Sequence, residues 1–458
     1  MASLASRLTP YHPPRALWNV LLAGLLLRFL NLGGWSLWLD EGATWSWAVL
    51  PTWKETLFAE ANHPPVWWLV TRGWIEAFGD SESALRAPAA ICSLLSLGLL
   101  WVLLLRLLDP ALAPRRGGFP TAAERGRGRP FDSAQARRIA AWTVGLVAVG
   151  SYFLEYAQEA RMYALLAAEA LGLCLLYLRW LDRGGKRVLV AYALLGAFSL
   201  YTHYFAVWIL FAHAGHALWL ARPRARREGR GVDPRPLLAA VVAAGLLFVP
   251  RFLYLALHFQ GIAHIPPEPL PFLLYILWRT GVGPALAVPD RLRQAAGPLS
   301  ALGEEWPIVV AGVLFWMLPL AAGIRAIARR TGLASFVAFQ LLVPVVLLLL
   351  LYPLFPLLHE RYFLFVAPWF VLLAVLGAFS GGRFLRPVML GGLVLLTAVG
   401  TVAYVGSDPT LVPDPTSKTL SLDGERVATR WVPDPDAPPA PLTHGHAYGR
   451  GPWRGAHA

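Results

Sequence analysis

The chain has 458 residues, 57% of them apolar and only 15% charged, where soluble domains carry about 25% charge. With a mean hydropathy of +0.52, this excludes a soluble multidomain protein and points to one all-α integral membrane domain. The net charge of +13 falls in connectors between apolar runs, where it sets topology, so no nucleic-acid partner is expected.

A spanning helix takes roughly 20 mostly apolar residues. Eleven segments qualify, near 15–35, 84–108, 139–157, 162–181, 187–203, 204–221, 236–258, 306–326, 334–356, 362–380 and 387–406. No cleavage site follows the first, so it reads as a retained helix and not a signal peptide. Cys92 and Cys174 both lie inside apolar runs, which argues against a disulfide framework or a Cys-based metal site. Arg-rich connectors alternate with aromatic ones. Arg115, Arg116, Arg125, Arg127, Arg129, Arg137 and Arg138 separate the second and third spans. Arg222, Arg224, Arg226, Arg227, Arg230 and Arg235 separate the sixth and seventh. With the N-terminus inside, 25 of the 40 Lys and Arg residues fall on the inner side and 8 in the outer loops, the asymmetry that the positive-inside rule requires. Residues 1–406 then form a polytopic membrane domain, and 407–458 a Pro-rich extracytoplasmic tail expected to be disordered.

Two outer segments are too long for turns and too polar for spans. The first, 36–83, is rich in tryptophan, a residue that favours membrane interfaces. Within it, 64–78 opens on prolines, whose missing N–H groups cost nothing at a helix start. At about 15 residues, and carrying Arg72 and Glu76, it predicts an interfacial helix. The second segment, 259–305, contains a second surface-lying candidate at 270–282. Together they are expected to roof an outer cavity.

The ionisable residues of interest cluster at outer helix ends. Asp40 and Glu41 follow the first span, where carboxylates near hydrocarbon mark functional candidates. Adjacent acids suit a general base with a helper, or a divalent cation site; Asp40 also fits an N-cap for a helix over 41–50. His63, before Pro64 and Pro65, fits a phosphate or metal contact and equally an ordinary loop histidine. After the third span come Glu155, Gln158, Glu159 and Arg161; a continuing helix would put Glu155 and Glu159 on one face. His203 lies in LYTHYFA, and His359, Glu360, Arg361 and Tyr362 lie in LLHERYF. Arg28, in the outer half of the first span, reads either as a partner for the carboxylates or as a snorkelling side chain. A transporter would concentrate such groups near the midplane. An enzyme drawing an amphiphilic substrate from the outer leaflet would place them at the helix ends.

These stretches resemble the GT-C class of membrane glycosyltransferases, in particular the family of protein O-mannosyltransferases and lipid A aminoarabinose transferases. The resemblance rests on RFLNLGGWSLWLDEG (28–42), NHPPVWWLVTRGWIEAFGDSESALRAPAA (62–90), AQEARMYAL (157–165), LYTHYFA (200–206) and ERYFLFVAP (360–368), in the usual order. It implies an inverting transferase of the cell membrane, its active site facing the extracytoplasmic side. Such an enzyme would move a hexosyl or pentosyl group from a polyprenyl-phosphate donor to a lipid, glycan or protein acceptor. Asp40, with Glu41 beside it, takes the catalytic-base position. Arg361 and Arg161, with His63 and His203, are the candidates for the donor phosphate; Glu159, Arg28 and Tyr362 support them. His63 stands where relatives often have lysine. Relatives vary in metal use, so a divalent ion on Asp40, Glu41, Glu159 or His63 is left open. A lipid-linked sugar flippase is the alternative.

Overall fold

The computed structural model describes residues 11–34, 37, 39–114, 131–227, 231–259, 269–287, 306–328, 330–353, 359–406, 430–433 and 453–456. In chain order the helices are α1 (Arg15–Phe29), α2 (Leu39–Ala48), α3 (Trp53–Leu57), α4 (Val66–Phe78), α5 (Glu82–Leu108), α6 (Ser133–Val149), α7 (Ser151–Ala157) and α8 (Tyr163–Arg183). They continue with α9 (Lys186–Thr202), α10 (Ala206–Leu220), α11 (Pro223–Arg227), α12 (Arg235–His258) and α13 (Pro269–Val282). Next, α14 (Trp306–Gly312) runs through a π turn (Val313–Met317) into α15 (Leu318–Ala328). Then come α16 (Thr331–Leu351), a 3-10 turn (Glu360–Phe363), α17 (Ala367–Ser380) and α18 (Leu385–Gly406). Two strands, β1 (Arg430–Pro433) and β2 (Trp453–Ala456), pair antiparallel with Arg430 opposite Ala456. The remainder of the tail, Trp35, Trp38, and the connectors at 115–130, 228–230, 260–268 and 288–305 lie outside the described residues.

Every segment expected to span is helical, but the lengths differ from the expectation. Among the described residues six helices are long and apolar enough to cross a membrane, and α6 with α7 makes a seventh, bent by 57°. The other four, α1, α9, α10 and α17, have 14 to 17 residues, short of the roughly 20 that a hydrocarbon core demands. The interfacial candidates appear as α4 and α13, of 13 and 14 residues.

The bend between α6 and α7 frees buried carbonyls, which need donors where water is absent. Arg28 donates to Ala148 O at 2.5 Å and Thr401 Oγ1 to Val149 O at 2.6 Å. Gly24 allows this approach, since a Cβ there would meet Ala148 O at 2.8 Å. At the end of α1, Gln158 Nε2 donates to Leu27 O and Leu30 O, and Tyr404 OH donates to Gln158 Oε1. These contacts hold the segment 150–162 across the top of α1.

Elsewhere close packing and internal polar bonds bind the helices. A Cβ at Gly323 of α15 would strike Leu373 O of α17, and one at Gly377 would strike Pro319 O; small residues let two backbones meet. Between α8, α9, α10 and α16, His213 bonds Tyr192 OH (2.9 Å) and Cys174 Sγ (3.5 Å), while His216 bonds Tyr177 OH (2.7 Å) and Ser335 Oγ (3.0 Å). Both imidazoles are engaged at both nitrogens, so this network is a closed brace.

Candidate active site

α2 begins just after α1 and carries the adjacent acids in its first turn. Asp40 is not the cap of this helix, which starts at Leu39. Its side chain goes elsewhere: Arg361 Nη1 donates to Oδ2 at 2.6 Å, and Arg161 Nη2 lies 3.8 Å from the same atom. Arg161 also donates to Asp40 O at 3.3 Å and to Thr44 Oγ1 at 3.1 Å. A quarter of the Asp40 side chain is exposed, against 10% for Arg361 and 2% for Arg161. The carboxylate is therefore the most accessible of the three, and its cations are buried.

Glu41, one residue on, is turned into the protein and is 1% exposed. Arg86 of α5 grips both its oxygens, Nε at 2.9 Å and Nη2 at 2.7 Å, while Ala160 N donates to Oε1 at 2.7 Å. The third Arg86 branch donates to Leu32 O. The two acids thus differ in placement: Glu41 ties α2 to α5 and to the 158–162 segment, and the partly exposed Asp40 meets Arg361 and Arg161.

α7 stops at Ala157, so Glu155 and Glu159 do not share a helical face. Glu155 accepts from Arg279 Nη2 of α13 at 2.7 Å, whereas Glu159 lies 3.8 Å from Arg361 Nη1. Arg279 also donates to Glu360, and Tyr152 OH donates to Glu360 O at 2.7 Å. This second cluster anchors the 3-10 turn that carries Arg361.

The two carboxyls facing Arg361 are driven apart. Burial alone would raise Asp40, but Arg361 and Arg161 hold it well below the usual carboxylate range. Burial pushes Glu159 well above that range, with Arg361 opposing and Glu41 reinforcing. The same arginine thus faces one carboxyl that favours the charged form and one that favours the protonated form. The histidines are neutral. Burial, reinforced by Arg161, lowers His63 to about 3; burial lowers His359 to about 3 and His203 well below its ordinary value. Held neutral, His63 and His203 would bring hydrogen bonds to an anion and no charge.

The remaining candidates are placed as follows. His203 Nδ1 accepts from Phe205 N at 3.1 Å, and its ring packs beside Tyr163 and Tyr362. Tyr362 and Tyr163 lie against the Arg361 guanidinium, with centroids 5.9 and 5.4 Å away. His63 Nδ1 is buried without a hydrogen-bond partner. Arg28 is not brought to the carboxylates; it is fully buried and serves Gly24 O, Ala148 O and Ser93 Oγ. α4 roofs the site from one side. Its Trp67 and Trp68 are fully buried and donate to Ala160 O and Thr56 O, so these tryptophans are core residues and not interface anchors.

Among the described residues no three His, Cys, Asp or Glu side chains form a metal-binding group. Glu41 is taken by Arg86 and Asp40 by Arg361, so this donor set does not fit a divalent ion. Sequence reasoning missed Arg86, Arg279 and Arg251. The last, on α12, donates to the carbonyls of Glu60, Ala61 and His63 and so fixes the loop that carries His63. Only their lone occurrence in apolar or aromatic surroundings could have flagged them.

No protein-family model matches the sequence, and no curated protein sequence matches it. Solved structures do. The chain is similar in fold to ArnT. The crystal structure of ArnT from Cupriavidus metallidurans in the apo state aligns with a TM-score of 0.52 at 15% identity, over 84% of this chain and 63% of that one. The structure of the same ArnT bound to undecaprenyl phosphate aligns at 0.47 and 18% identity over the same shares. The chain thus spans less than two thirds of the length of ArnT.

Proposed function

We propose that the protein is a multi-pass GT-C glycosyltransferase of the cell membrane. In this reading it moves a sugar from a polyprenyl-phosphate donor to an acceptor hydroxyl on the extracytoplasmic side, with inversion. The carrying observation is the juxtaposition of Asp40, partly exposed, with the buried cations Arg361 and Arg161. Asp40 takes the acceptor hydroxyl proton as that oxygen attacks the anomeric carbon. The bond from the anomeric carbon to the phosphate oxygen breaks, and its electron pair leaves with the phosphate. Arg361 and Arg161 stabilise the charge gathered there, and a protonated Glu159 can donate to a phosphate oxygen. The transition state is oxocarbenium-like, and one displacement inverts the centre. The ArnT-like fold and the family resemblance of the motifs support the reading. The topology that belongs to it is eleven spans, N-terminus inside and tail outside, with α4 lying along the outer surface.

The test is transfer by purified protein from defined polyprenyl-phosphate sugars, with envelope lipids, glycans and proteins as acceptors and the anomeric configuration of the product read by NMR. Retained configuration, or translocation without transfer, refutes it.

A further inference from the structure

Asp40 and a donor phosphate would require the same two cations. Arg361 Nη1 lies 2.6 Å from Asp40 Oδ2, with Arg161 Nη2 at 3.8 Å. The other buried guanidiniums near the site are committed: Arg86 to Glu41, Arg279 to Glu155 and Glu360, Arg251 to the carbonyls of the 60–63 loop. The groups facing Asp40 come from four places. The 3-10 turn and the residue before it supply Arg361 and His359, and the 158–162 segment supplies Glu159 and Arg161. The loop before α4 supplies His63, and α2 itself supplies Glu41 and Thr44. Burial disfavours the charged forms of His63, His359 and Glu159, and Glu41 is paired with Arg86. Within this set the uncompensated balance is Asp40 against Arg361 and Arg161.

A carboxylate whose oxygen is held by a guanidinium is a poor proton acceptor, because the ion pair stabilises the charged form. We infer that the donor phosphate draws Arg361 and Arg161 away from Asp40, so that donor binding itself arms the base. This inference rests on the lipid-phosphate reading above and adds its regulation. It makes the phosphate and the Asp40 charge mutually antagonistic ligands of one cation pair, and such coupling is reciprocal. Removing the charge of Asp40 must therefore strengthen phosphate binding while it abolishes the base.

The experiment is titration of undecaprenyl phosphate into the full chain in phosphatidylcholine nanodiscs. It compares wild type, Asp40→Asn, Arg361→Ala and the double variant, with Asp40→Ser as a second neutral side chain and thermal unfolding to check the fold. Asp40→Asn and Asp40→Ser are expected to bind tighter by roughly tenfold, within the usual range of coupling between ligands. Arg361→Ala is expected to bind more weakly, and adding Asp40→Asn to it should recover much less than tenfold. Equal or weaker binding by both Asp40 variants, with wild type binding, overturns the inference and leaves the transferase reading standing. So does a gain of the same size in the Arg361→Ala background, which would mean a field effect without a shared cation. Absence of binding by wild type and all variants overturns the lipid-phosphate reading and the inference with it.

Discussion

Arg361 Nη1 and Asp40 Oδ2 meet at 2.6 Å across 321 residues of chain. The contact joins the turn after α16 to the first turn of α2. It puts the candidate base and the candidate phosphate ligand in one ion pair, so each has a measurable consequence of its own.

Asp40→Asn preserves shape and most hydrogen bonds but accepts no proton. Loss of a general base costs about 10²–10⁴-fold in rate, so single-turnover transfer should fall by at least roughly a hundredfold. Near-normal turnover would move the base elsewhere.

Arg361→Ala should weaken binding of undecaprenyl phosphate by about 1.5–3 kcal/mol, the scale of a charged hydrogen bond. His63→Asn and His203→Asn remove neutral donors and should cost less, about 0.5–1.5 kcal/mol each. A larger loss at either histidine than at Arg361 would contradict the assignment of charge to the arginines.

Glu41 and Arg86 form a buried pair with side chains 1% and 4% exposed. Glu41→Gln leaves the guanidinium uncompensated and should destabilise by about 3–5 kcal/mol. Replacing both residues with methionine should cost much less, because neither charge is then stranded. Thermal unfolding in detergent distinguishes the two. Equal losses would mean that the pair is not the tie between α2 and α5.

Arg251 supplies the donors for three carbonyls of the 60–63 loop. Arg251→Met should loosen that loop and expose it to limited proteolysis, at a cost of about 1–3 kcal/mol. Arg251→Lys should restore part of the protection. Cleavage of the methionine variant at the wild-type rate would show that the loop is held by other contacts, such as the bond from Tyr204 OH to Ala61 O.

Glu159 gives a pH signature. Its folded pKa is raised, chiefly by burial, so its contribution to stability is complete below the unfolded carboxyl value. That contribution is lost as pH rises through the folded value. Glu159→Gln should remove this alkaline decline from unfolding curves taken across pH. An unchanged pH profile would mean that Glu159 titrates normally.

Much of the fold was legible because bilayer solvation constrains long stretches of chain at once. Apolar runs of near-spanning length mark helices whatever their partners, and all eleven expected segments are helical. The cluster of ionisable residues near helix ends was equally readable. The pairing of Asp40 with Arg361 was not, because the two were separate candidates and only Arg28 read as a partner for the carboxylates.

The tertiary structure decided what depends on distance and burial. Adjacent Asp40 and Glu41 look alike in sequence, yet one stays partly exposed beside Arg361 and the other is buried and bound by Arg86. A continuing helix would have put Glu155 and Glu159 on one face, but the chain leaves the helix at Ala157 and sends them to different arginines. Arg28 looked like a partner for the carboxylates until the bend at Gly150 left carbonyls that only a buried donor could satisfy. His63 and His203 were candidates for the phosphate, and burial lowers both below the ordinary imidazole value. Chain order records which side chains exist, but charge state and partnership are set by the dielectric and the neighbours that folding supplies.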